Sequence, residues 1–333
     1  MNGMEDKKPL LSICIPTYNG ASSSLKEVLE YSTRCGDRYP EEIEIIVSDN
    51  CSTDATPVLI EKYKNRAYFR AYHNDTNLGF NGNMLKLTEE YARGDYFWLV
   101  GDDDIINPNA LQLVISTLRD NKIDYLSLWY NYIYQEDFSQ ISFVNSFSIH
   151  YDSFADVIDV NCRRGNSFGS FMSSAIVRRK MFNEVPKDII ENKFDIFYNV
   201  WPNAYINAIA FNNKNCAYIP ETVLYSIRHQ KEWAGDDNMY KLCSQYNVEM
   251  YYFFLSLGIN DNKLRRTHIR VLYDYLFNSI NRILKRKKIS KGFLKMSLQS
   301  FKFPVIWKTI FVNYGRLALS IITRRKYQLI DVN

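Results

Sequence analysis

The chain has 333 residues, of which 46% are hydrophobic and 23% are charged, and its formal net charge is +4. This length suffices for one large core or two modest ones, and the composition is ordinary for a soluble globular protein. The six cysteines form no CxxC pair and show no metal-ligand spacing, which argues against a cysteine-ligated metal site. Residues 1–9 are polar and carry both signs of charge, unlike a secretory signal. We therefore expect a protein of the reducing cytoplasm.

Strands and helices alternate in the first third of the chain. Apolar runs predict strands at 10–15, 42–47, 67–72 and 96–100. Helical spacing of apolar residues follows each of the first three strands. This alternation predicts an α/β fold with a parallel, doubly wound sheet.

A helix is also expected after the fourth predicted strand. Asn107 can cap it, and Pro108 fits its first turn. Leu111, Val114 and Leu118 then recur at helical spacing.

The pattern changes after residue 120. Aromatic and alternating residues at 125–147 predict added strands or a covering hairpin, and the chain is helical in pattern from 238 onward. The helix predicted for 266–284 carries one apolar stripe, formed by Ile269, Leu272, Tyr273, Leu276, Ile280, Ile283 and Leu284. Residues 305–322 are apolar but interrupted by polar side chains, which suits a helix lying in a membrane interface. Alternatively, the stripe packs in a core and the charges form a solvated face.

The carboxy-terminal region is strongly basic. From Lys263 to Lys326 the chain has seventeen Lys and Arg and one acid, a net charge of +16, which leaves −12 for the rest. Such a segment fits an anionic partner, either a membrane surface or a nucleic acid. No recognised nucleic-acid module accompanies the charge, so we expect the inner membrane surface and no nucleic acid.

Each predicted strand of the first half ends in residues able to contact a nucleotide. In an open α/β sheet the carboxyl ends of the strands form the ligand crevice, so these residues predict one pocket. They are Pro16, Thr17, Tyr18 and Asn19, then Asp49, then Asn77, Gly79 and Asn83, and finally Asp102, Asp103 and Asp104. Asp49 could instead cap a helix, and Asn19 could be a turn residue.

The three consecutive aspartates are the most informative feature of the sequence. Asp102, Asp103 and Asp104 follow a buried strand and Gly101, and their mutual repulsion favours a bound cation. No GxGxxG follows the first strand and no GxxxxGK[ST] occurs, which argues against a Rossmann dehydrogenase and a P-loop NTPase. Phosphohydrolases with a strand-end aspartate pair carry it after the first strand, where this chain has Pro16 and Thr17.

Four segments of the first third carry a common pattern. They are SICIPTYN at 12–19, EIIVSDNCSTD at 44–54, NLG at 77–79 and GDYFWLVGDDD at 94–104, with Pro108 following. Together they resemble glycosyltransferase family 2, whose members have the GT-A fold. The resemblance covers roughly residues 10–120 and is strongest to the bacterial abequosyltransferase-like branch, which builds O-antigen and capsule repeats.

The resemblance implies a role for each strand end. Asp49 would hold the base, Thr17 and Tyr18 would line the nucleotide pocket, and Asp102 would contact the ribose. Asp103 would bind the Mn²⁺ or Mg²⁺ that bridges the diphosphate. Many relatives have an aspartate in place of Gly101, so the division of labour among the three carboxylates stays open.

The reaction that the resemblance implies also needs a base for the acceptor hydroxyl. Family members use a carboxylate of the second half, usually within an acidic pair. Asp195 is the first candidate and Glu191 the second; a solvated helix carboxylate is the alternative. Arg228 and His229 resemble an Arg/His element that relatives fold onto the metal or diphosphate, although both could be surface residues.

The sequence thus predicts a GT-A fold with a helical, basic carboxy-terminal region. We expect a nucleotide-sugar-binding half at 1–120, an acceptor-binding and catalytic half at 121–237, and a helical, membrane-associated region at 238–333. The implied activity is metal-dependent, inverting transfer of a sugar from a nucleotide donor to a lipid-linked glycan of a bacterial surface polysaccharide. The alternatives are a non-catalytic nucleotide-sugar-binding or membrane scaffold protein and a nucleotidyltransferase. The donor, the acceptor and the oligomeric state remain open.

Overall fold

The computed structural model describes most of the chain and divides it into two compact units. The first unit comprises residues 1–157 and 169–230, and the second comprises 158–168 and 231–333. The functional halves expected at 1–120 and 121–237 stay predictions. The described residues are 8–120, 122–134, 148–163, 171–186, 202–228, 250–259, 262–284, 301–302 and 304–323.

The first third of the chain forms four parallel strands, as predicted. The strands are β1 (Leu11–Thr17), β2 (Ile43–Asp49), β3 (Phe69–His73) and β4 (Tyr96–Leu99). They pair in the order β3-β2-β1-β4. Every residue of β1 and β2 is buried, as expected for the central strands of a sheet that is covered on both sides.

Helices connect these strands. They are α1 (Leu25–Arg38), α2 (Thr56–Glu61) and α3 (Gly79–Lys86), which a π-helical turn at Leu87–Tyr91 continues. The predicted apolar face of α1 is confirmed, since Leu25, Val28 and Leu29 are fully buried. Asp54 accepts a 2.9 Å hydrogen bond from the Thr56 N–H and so supports the start of α2.

The second half of the first unit extends the sheet. The order becomes β3-β2-β1-β4-β8-β6-β9-β5, with β7 paired to β9. β6 and β9 are parallel, whereas β5, β7 and β8 pair antiparallel to their neighbours, so the complete sheet is mixed. The added strands are β5 (Asp104–Ile106), β6 (Tyr125–Tyr134), β7 (Ile149–Tyr151), β8 (Ala175–Arg178) and β9 (Cys216–Arg228). The further helices are α4 (Leu111–Arg119), α5 (Phe154–Arg163), α6 (Arg179–Asn183), α7 (Pro202–Phe211), α8 (Asn262–Leu284) and α9 (Pro304–Thr323).

The prediction that a helix begins at Asn107 is wrong. Residues 104–106 form β5, and α4 begins only at Leu111. The Asn107 side chain instead accepts a 3.0 Å hydrogen bond from the Asn109 N–H and donates one of 3.0 Å to the Thr222 carbonyl oxygen. Asn107 therefore ties this turn to β9, a partner 115 residues away that a local pattern does not reveal.

The sheet curls back on itself near the aspartates. β4 and β5 lie four strand spacings apart in the order of the sheet, which would be roughly 19 Å if it were flat. Only residues 100–103 connect them, and Ser173 Oγ binds both the Gly101 N–H and the Asp104 carboxylate. The curl brings β5 beside the end of β4, so the consecutive aspartates join two distant strands.

The long helices of the second unit pack on each other. Leu272, Tyr273 and Leu276 of α8 form one buried cluster with Ile306 and Ile310 of α9. The described part of the apolar stripe thus lies in a core, as one of the two alternatives predicted. No helix in the described part of the chain is both long and apolar enough to cross a membrane.

Candidate active site

The ends of β1 and β4 are joined by a hydrogen bond. Thr17 is the last residue of β1, and its hydroxyl donates to Asp102 Oδ2 at 2.6 Å. Thr17 also lies opposite Asp49 in the register of β1 and β2. Three predicted site residues therefore lie at one edge of the sheet.

Asp49 is buried and is held from two sides. Its Oδ1 accepts a 3.1 Å hydrogen bond from the Ser52 N–H, and its Oδ2 lies 2.9 Å from Nδ1 of His73 at the end of β3. Tyr18 remains 49% exposed beside this edge. An anchored carboxylate and an accessible aromatic ring are groups that can bind a planar base through its N–H and its face.

Asn19 shapes the loop after β1. Its backbone is left-handed (φ 55°), a conformation that asparagine tolerates better than most residues. The Asn19 N–H donates to Ser52 Oγ at 2.8 Å, and Asn19 Oδ1 accepts from the Thr53 N–H at 2.9 Å. Asn19 thus holds the loop that contains Tyr18. Pro16 lies within β1, opposite Ser48 of β2.

A network of asparagines holds the loop after β3. Asn50 Nδ2 donates to Asn77 Oδ1 at 2.9 Å and to the Gly79 carbonyl oxygen at 3.2 Å. Asn83 is buried, accepts from Ser48 Oγ at 2.6 Å and donates to the Ser48 carbonyl oxygen at 3.1 Å. Gly79 has φ +69°, a left-handed conformation that favours glycine. These contacts lie within the protein, so Asn83 can act on a ligand only by positioning its neighbours.

The three consecutive aspartates have different surroundings. Burial is the largest influence on Asp102 and raises its pKa to about 6, with the nearby charge of Asp103 adding to the rise and the Thr17 hydrogen bond opposing it. Burial and the Asp103 charge likewise raise the pKa of Asp104 to about 8, against hydrogen bonds from Ser173 and Ser226. Crowded, poorly solvated carboxylates of this kind favour a positive partner.

Ser173 holds the loop of the aspartates in place. Its Oγ donates to Asp104 Oδ2 at 2.5 Å and accepts from the Gly101 N–H at 2.9 Å. Its carbonyl oxygen accepts from Trp98 Nε1 at 2.7 Å, which fixes Ser173 against β4. Ser173 therefore positions both ends of the Gly101–Asp104 segment.

Gly101 has no room for a side chain. A Cβ atom there would lie 2.8 Å from Asp103 Oδ1 and 2.8 Å from Asp104 Oδ2, well inside contact distance. An aspartate at this position would also add a fourth carboxylate to the cluster. The absence of a side chain at Gly101 thus leaves room for the carboxylates of Asp103 and Asp104 where they lie.

Other predicted residues lie at the margin of the described structure. Arg228 is the last residue of β9. The N–H of the preceding residue, Ile227, donates to the Asp103 carbonyl oxygen at 2.8 Å, so the backbone of Arg228 lies at the same edge as the aspartates. His229, Asp195 and Glu191 fall outside the described residues.

Two residues of the site, His73 and Ser173, were not predicted from the sequence. His73 directly ends β3, so the rule that singled out the other strand ends could have found it. Ser173 lies in a short 3₁₀ turn at Met172–Ser174 and carries no local signal, because its partners are 72 and 69 residues away.

The donor set at this edge is chemically suited to a divalent cation. Carboxylate oxygens are the preferred ligands of Mg²⁺ and Mn²⁺, and Mg²⁺ is usually held by one or two carboxylates together with substrate phosphates. Within the described residues, no group of three or more His, Cys, Asp or Glu is arranged to hold a metal by itself.

Comparison with known proteins assigns the chain to a family. A family model described as glycosyl transferase family 2 matches residues 12–185, which is more than half of the chain. The chain belongs to glycosyl transferase family 2. This confirms the resemblance seen in the sequence. The family's matched region contains β1–β4, the aspartates and Ser173.

Two relatives each match about a third of the chain. Abequosyltransferase RfbV of Salmonella typhimurium is 37% identical over 117 residues, which is 34% of each chain. Poly(ribitol-phosphate) beta-N-acetylglucosaminyltransferase TarS of Staphylococcus aureus is 31% identical over 115 residues, which is 34% of this chain and 20% of TarS. The chain thus matches only a third and a fifth of the lengths of these relatives.

A solved structure confirms the fold of this family member. The structure of S. aureus TarS residues 1–349 in complex with UDP-GlcNAc has a TM-score of 0.50 and 17% identity, covering 96% of this chain and 93% of that chain. The likeness extends over most of both chains, and the fold is GT-A, as predicted.

Proposed function

We propose that the protein is a glycosyltransferase that moves a sugar from a nucleotide-sugar donor to a glycan acceptor. The observation that carries the proposal is the joint position of Thr17, Asp49, Asp102 and Asp103 at one sheet edge in a family 2 chain. Each relative named above transfers a sugar, and the TarS structure contains a nucleotide sugar. These features together favour sugar transfer over other nucleotide chemistry.

The donor would bind along the carboxyl ends of β1, β2 and β4. Asp49, fixed by Ser52 and His73, would accept an N–H of the base, and Tyr18 would cover its face. Asp102, held by Thr17, would receive the ribose. The asparagine network behind Asn77 and Gly79 would keep that side of the pocket in place. A uracil, thymine or guanine edge offers a suitable N–H, and the cytosine amine could donate as well.

Asp102 and Asp103 would hold a divalent cation, Mn²⁺ or Mg²⁺, at the diphosphate. Bound there, the cation would neutralise charge on the leaving nucleoside diphosphate. Asp104 is better suited to positioning, because its buried carboxylate is already bound by Ser173. Asp195 and Glu191 are the candidates for the base, and Arg228, at the end of β9, and His229 are the candidates for a diphosphate contact.

Hydrolysis of the donor tests the proposal. The full chain is incubated with UDP-, dTDP-, GDP- and CDP-sugars, with Mn²⁺ or Mg²⁺, and nucleoside diphosphate release is measured. Asp103→Asn should lower the rate by about 10²–10³, the size expected when a preorganised electrostatic group is lost. Asp95→Asn is the matched control, since Asp95 lies before β4 at the opposite edge and pairs with Lys8.

The alternative functions predict other products. A nucleotidyltransferase would release pyrophosphate instead of nucleoside diphosphate, and a scaffold protein would bind donors without turning them over. Absence of both binding and turnover with all four nucleotide classes would contradict the donor site itself.

We further propose that the acceptor is lipid-linked and that the basic region docks on the inner face of the plasma membrane. On α9 and the residues before it, Phe311 is 71% exposed and Phe301 is 64% exposed, with Lys302 and Lys308 also exposed. Exposed aromatic side chains beside lysines suit an anionic lipid surface.

Flotation with phosphatidylglycerol vesicles should recover the protein, whereas phosphatidylcholine vesicles should not. Phe301→Ser/Phe311→Ser should abolish recovery; unchanged flotation would contradict this assignment.

A further inference from the structure

A cluster of aromatic rings lies in the half of the sheet that does not carry Asp49. Tyr130, Tyr132 and Phe171 form this cluster, which we call the aromatic rim. The Tyr130 ring lies 4.1 Å from that of Phe171 and meets that of Tyr132 edge-on at 5.7 Å between centroids. Tyr130 is buried, but Tyr132 is 51% exposed. The rim thus presents one accessible ring that is supported from behind by another.

The strand register places Tyr132 level with the aspartates. Tyr132 of β6 lies opposite Ser226 of β9, and Ser226 lies opposite Asp104 of β5. Register partners project from the same face of a sheet, and two strand spacings amount to about 10 Å. Tyr132 therefore lies on the same face of the sheet as Asp104, two strands away.

The rim is also attached to the loop of the aspartates. Phe171 immediately precedes the 3₁₀ turn that contains Ser173, and Ser173 binds Gly101 and Asp104. Tyr132 and the proposed cation site are consequently held by one continuous set of contacts. A molecule resting on Tyr132 would meet the donor site at a defined distance and from the side opposite to the base.

We propose that Tyr132 is an acceptor-binding residue, a role that rests on the proposed function. Its ring would stack on the C–H face of a pyranose in the acceptor glycan. The faces of aromatic rings carry partial negative charge, so they attract weakly positive C–H groups. Because Tyr130 supports the ring, little conformational freedom is lost when a sugar binds. The placement would bring an acceptor hydroxyl toward the donor without using any residue of the nucleotide pocket.

Sugar binding to the full chain tests this assignment. Saturation-transfer NMR is recorded with the methyl glycosides of glucose, galactose, mannose, rhamnose and N-acetylglucosamine. Wild-type protein should bind at least one, and Tyr132→Ala should weaken that binding about five- to tenfold, the expected value of one aromatic contact. Tyr132→Phe should bind like wild type. Tyr72→Ala is the matched control, because Tyr72 lies on the edge strand β3, where its ring stacks on Tyr91.

A second measurement separates failure of this assignment from failure of the proposed function. Thermal stabilisation by UDP, dTDP, GDP and CDP with Mg²⁺ reports on the donor site alone. Tyr132→Ala should retain the wild-type stabilisation. If wild type binds none of the glycosides, or if Tyr132→Ala binds them as wild type does, the acceptor role of Tyr132 is wrong. Absence of nucleotide stabilisation in wild type would count against the donor site instead.

Discussion

Thr17 Oγ1 donates a 2.6 Å hydrogen bond to Asp102 Oδ2 and thereby couples the ends of β1 and β4. Asp102 is poorly solvated, so this hydroxyl is one of the groups that stabilise its charged form. Thr17→Val keeps the shape of the side chain but removes the donor. Hydrogen bonds to charged groups contribute about 1.5–3 kcal/mol, so we expect kcat/KM for the donor to fall about ten- to hundredfold. Thr17→Ser should restore most of it; equal losses in both variants would contradict the role of the hydroxyl.

Ser173→Ala tests whether the loop of the aspartates must be held by the 3₁₀ turn that precedes β8. The substitution removes the bond to the Asp104 carboxylate and the acceptor for the Gly101 N–H. We expect the cation concentration that gives half-maximal donor hydrolysis to rise about tenfold. Ser174→Ala is the neighbouring control, since the Ser174 hydroxyl donates to the Phe171 carbonyl oxygen at 2.7 Å. A change in melting temperature without a change in cation dependence would show a structural role alone.

Gly101→Ala should displace the carboxylates that the glycine accommodates. Its Cβ would lie 2.8 Å from oxygens of both Asp103 and Asp104, so at least one of them must move. Donor hydrolysis is expected to fall at least about tenfold, because misplacement of a catalytic group by 1 Å can cost 10² in rate. Activity of Gly101→Ala at the wild-type level, measured at saturating Mn²⁺, would mean that the loop adapts freely.

Asn83→Ala should destabilise the protein more than Asn77→Ala. The buried Asn83 amide bonds Ser48 twice and also accepts from Asn74 at 2.9 Å, so its loss leaves several buried groups without partners. The expected cost is about 2–4 kcal/mol of unfolding free energy, or roughly 5–10 °C in Tm. Asn77→Ala should instead leave Tm nearly unchanged and weaken nucleotide binding. Differential scanning calorimetry with and without nucleotide distinguishes the loss of stability expected for Asn83→Ala from the loss of nucleotide binding expected for Asn77→Ala.

Glu44 provides a pH-dependent contribution at the opposite edge of the sheet. Although burial alone would raise its pKa, hydrogen bonds from Ser12 and the Arg93 N–H, together with the Arg70 charge, lower the pKa overall. The ionised form therefore stabilises the fold above the unfolded-state pKa of about 4.3, and this stability is lost as the pH falls further.

Glu44→Gln should lower the unfolding free energy by about 1–3 kcal/mol at pH 7. The difference from wild type should be smaller at pH 3 than at pH 7, because acid favours the protonated form of Glu44. Urea unfolding at pH 7 and at pH 3 measures the difference in unfolding free energy. Glu41→Gln serves as the control, because Glu41 is exposed. A difference that is the same at both pH values would exclude a contribution from the charge.

The parallel strands and their polar ends could be predicted because their signals are local. Thr17, Asp49 and Asp102 each follow an apolar run, and the alternation with helices fixes which ends share an edge. The predicted start of α4 was wrong because residues 104–106 pair with β9 as strand β5, and α4 begins only at Leu111. Ser173 was missed for the same reason, since its role arises only when the sheet curls. Tertiary contacts outweighed local pattern at each of these positions.

The curl of the sheet makes the spacing between Val100 and Asp104 a constraint on how this chain can diverge. Loops elsewhere can lengthen at little cost, because added residues extend into solvent. An extra residue between these two positions would shift Asp102 and Asp104 relative to each other, although each is bound to a different part of the sheet. Single substitutions among the three aspartates should therefore be tolerated less well than combined ones. The effects of the single substitutions on activity should not add.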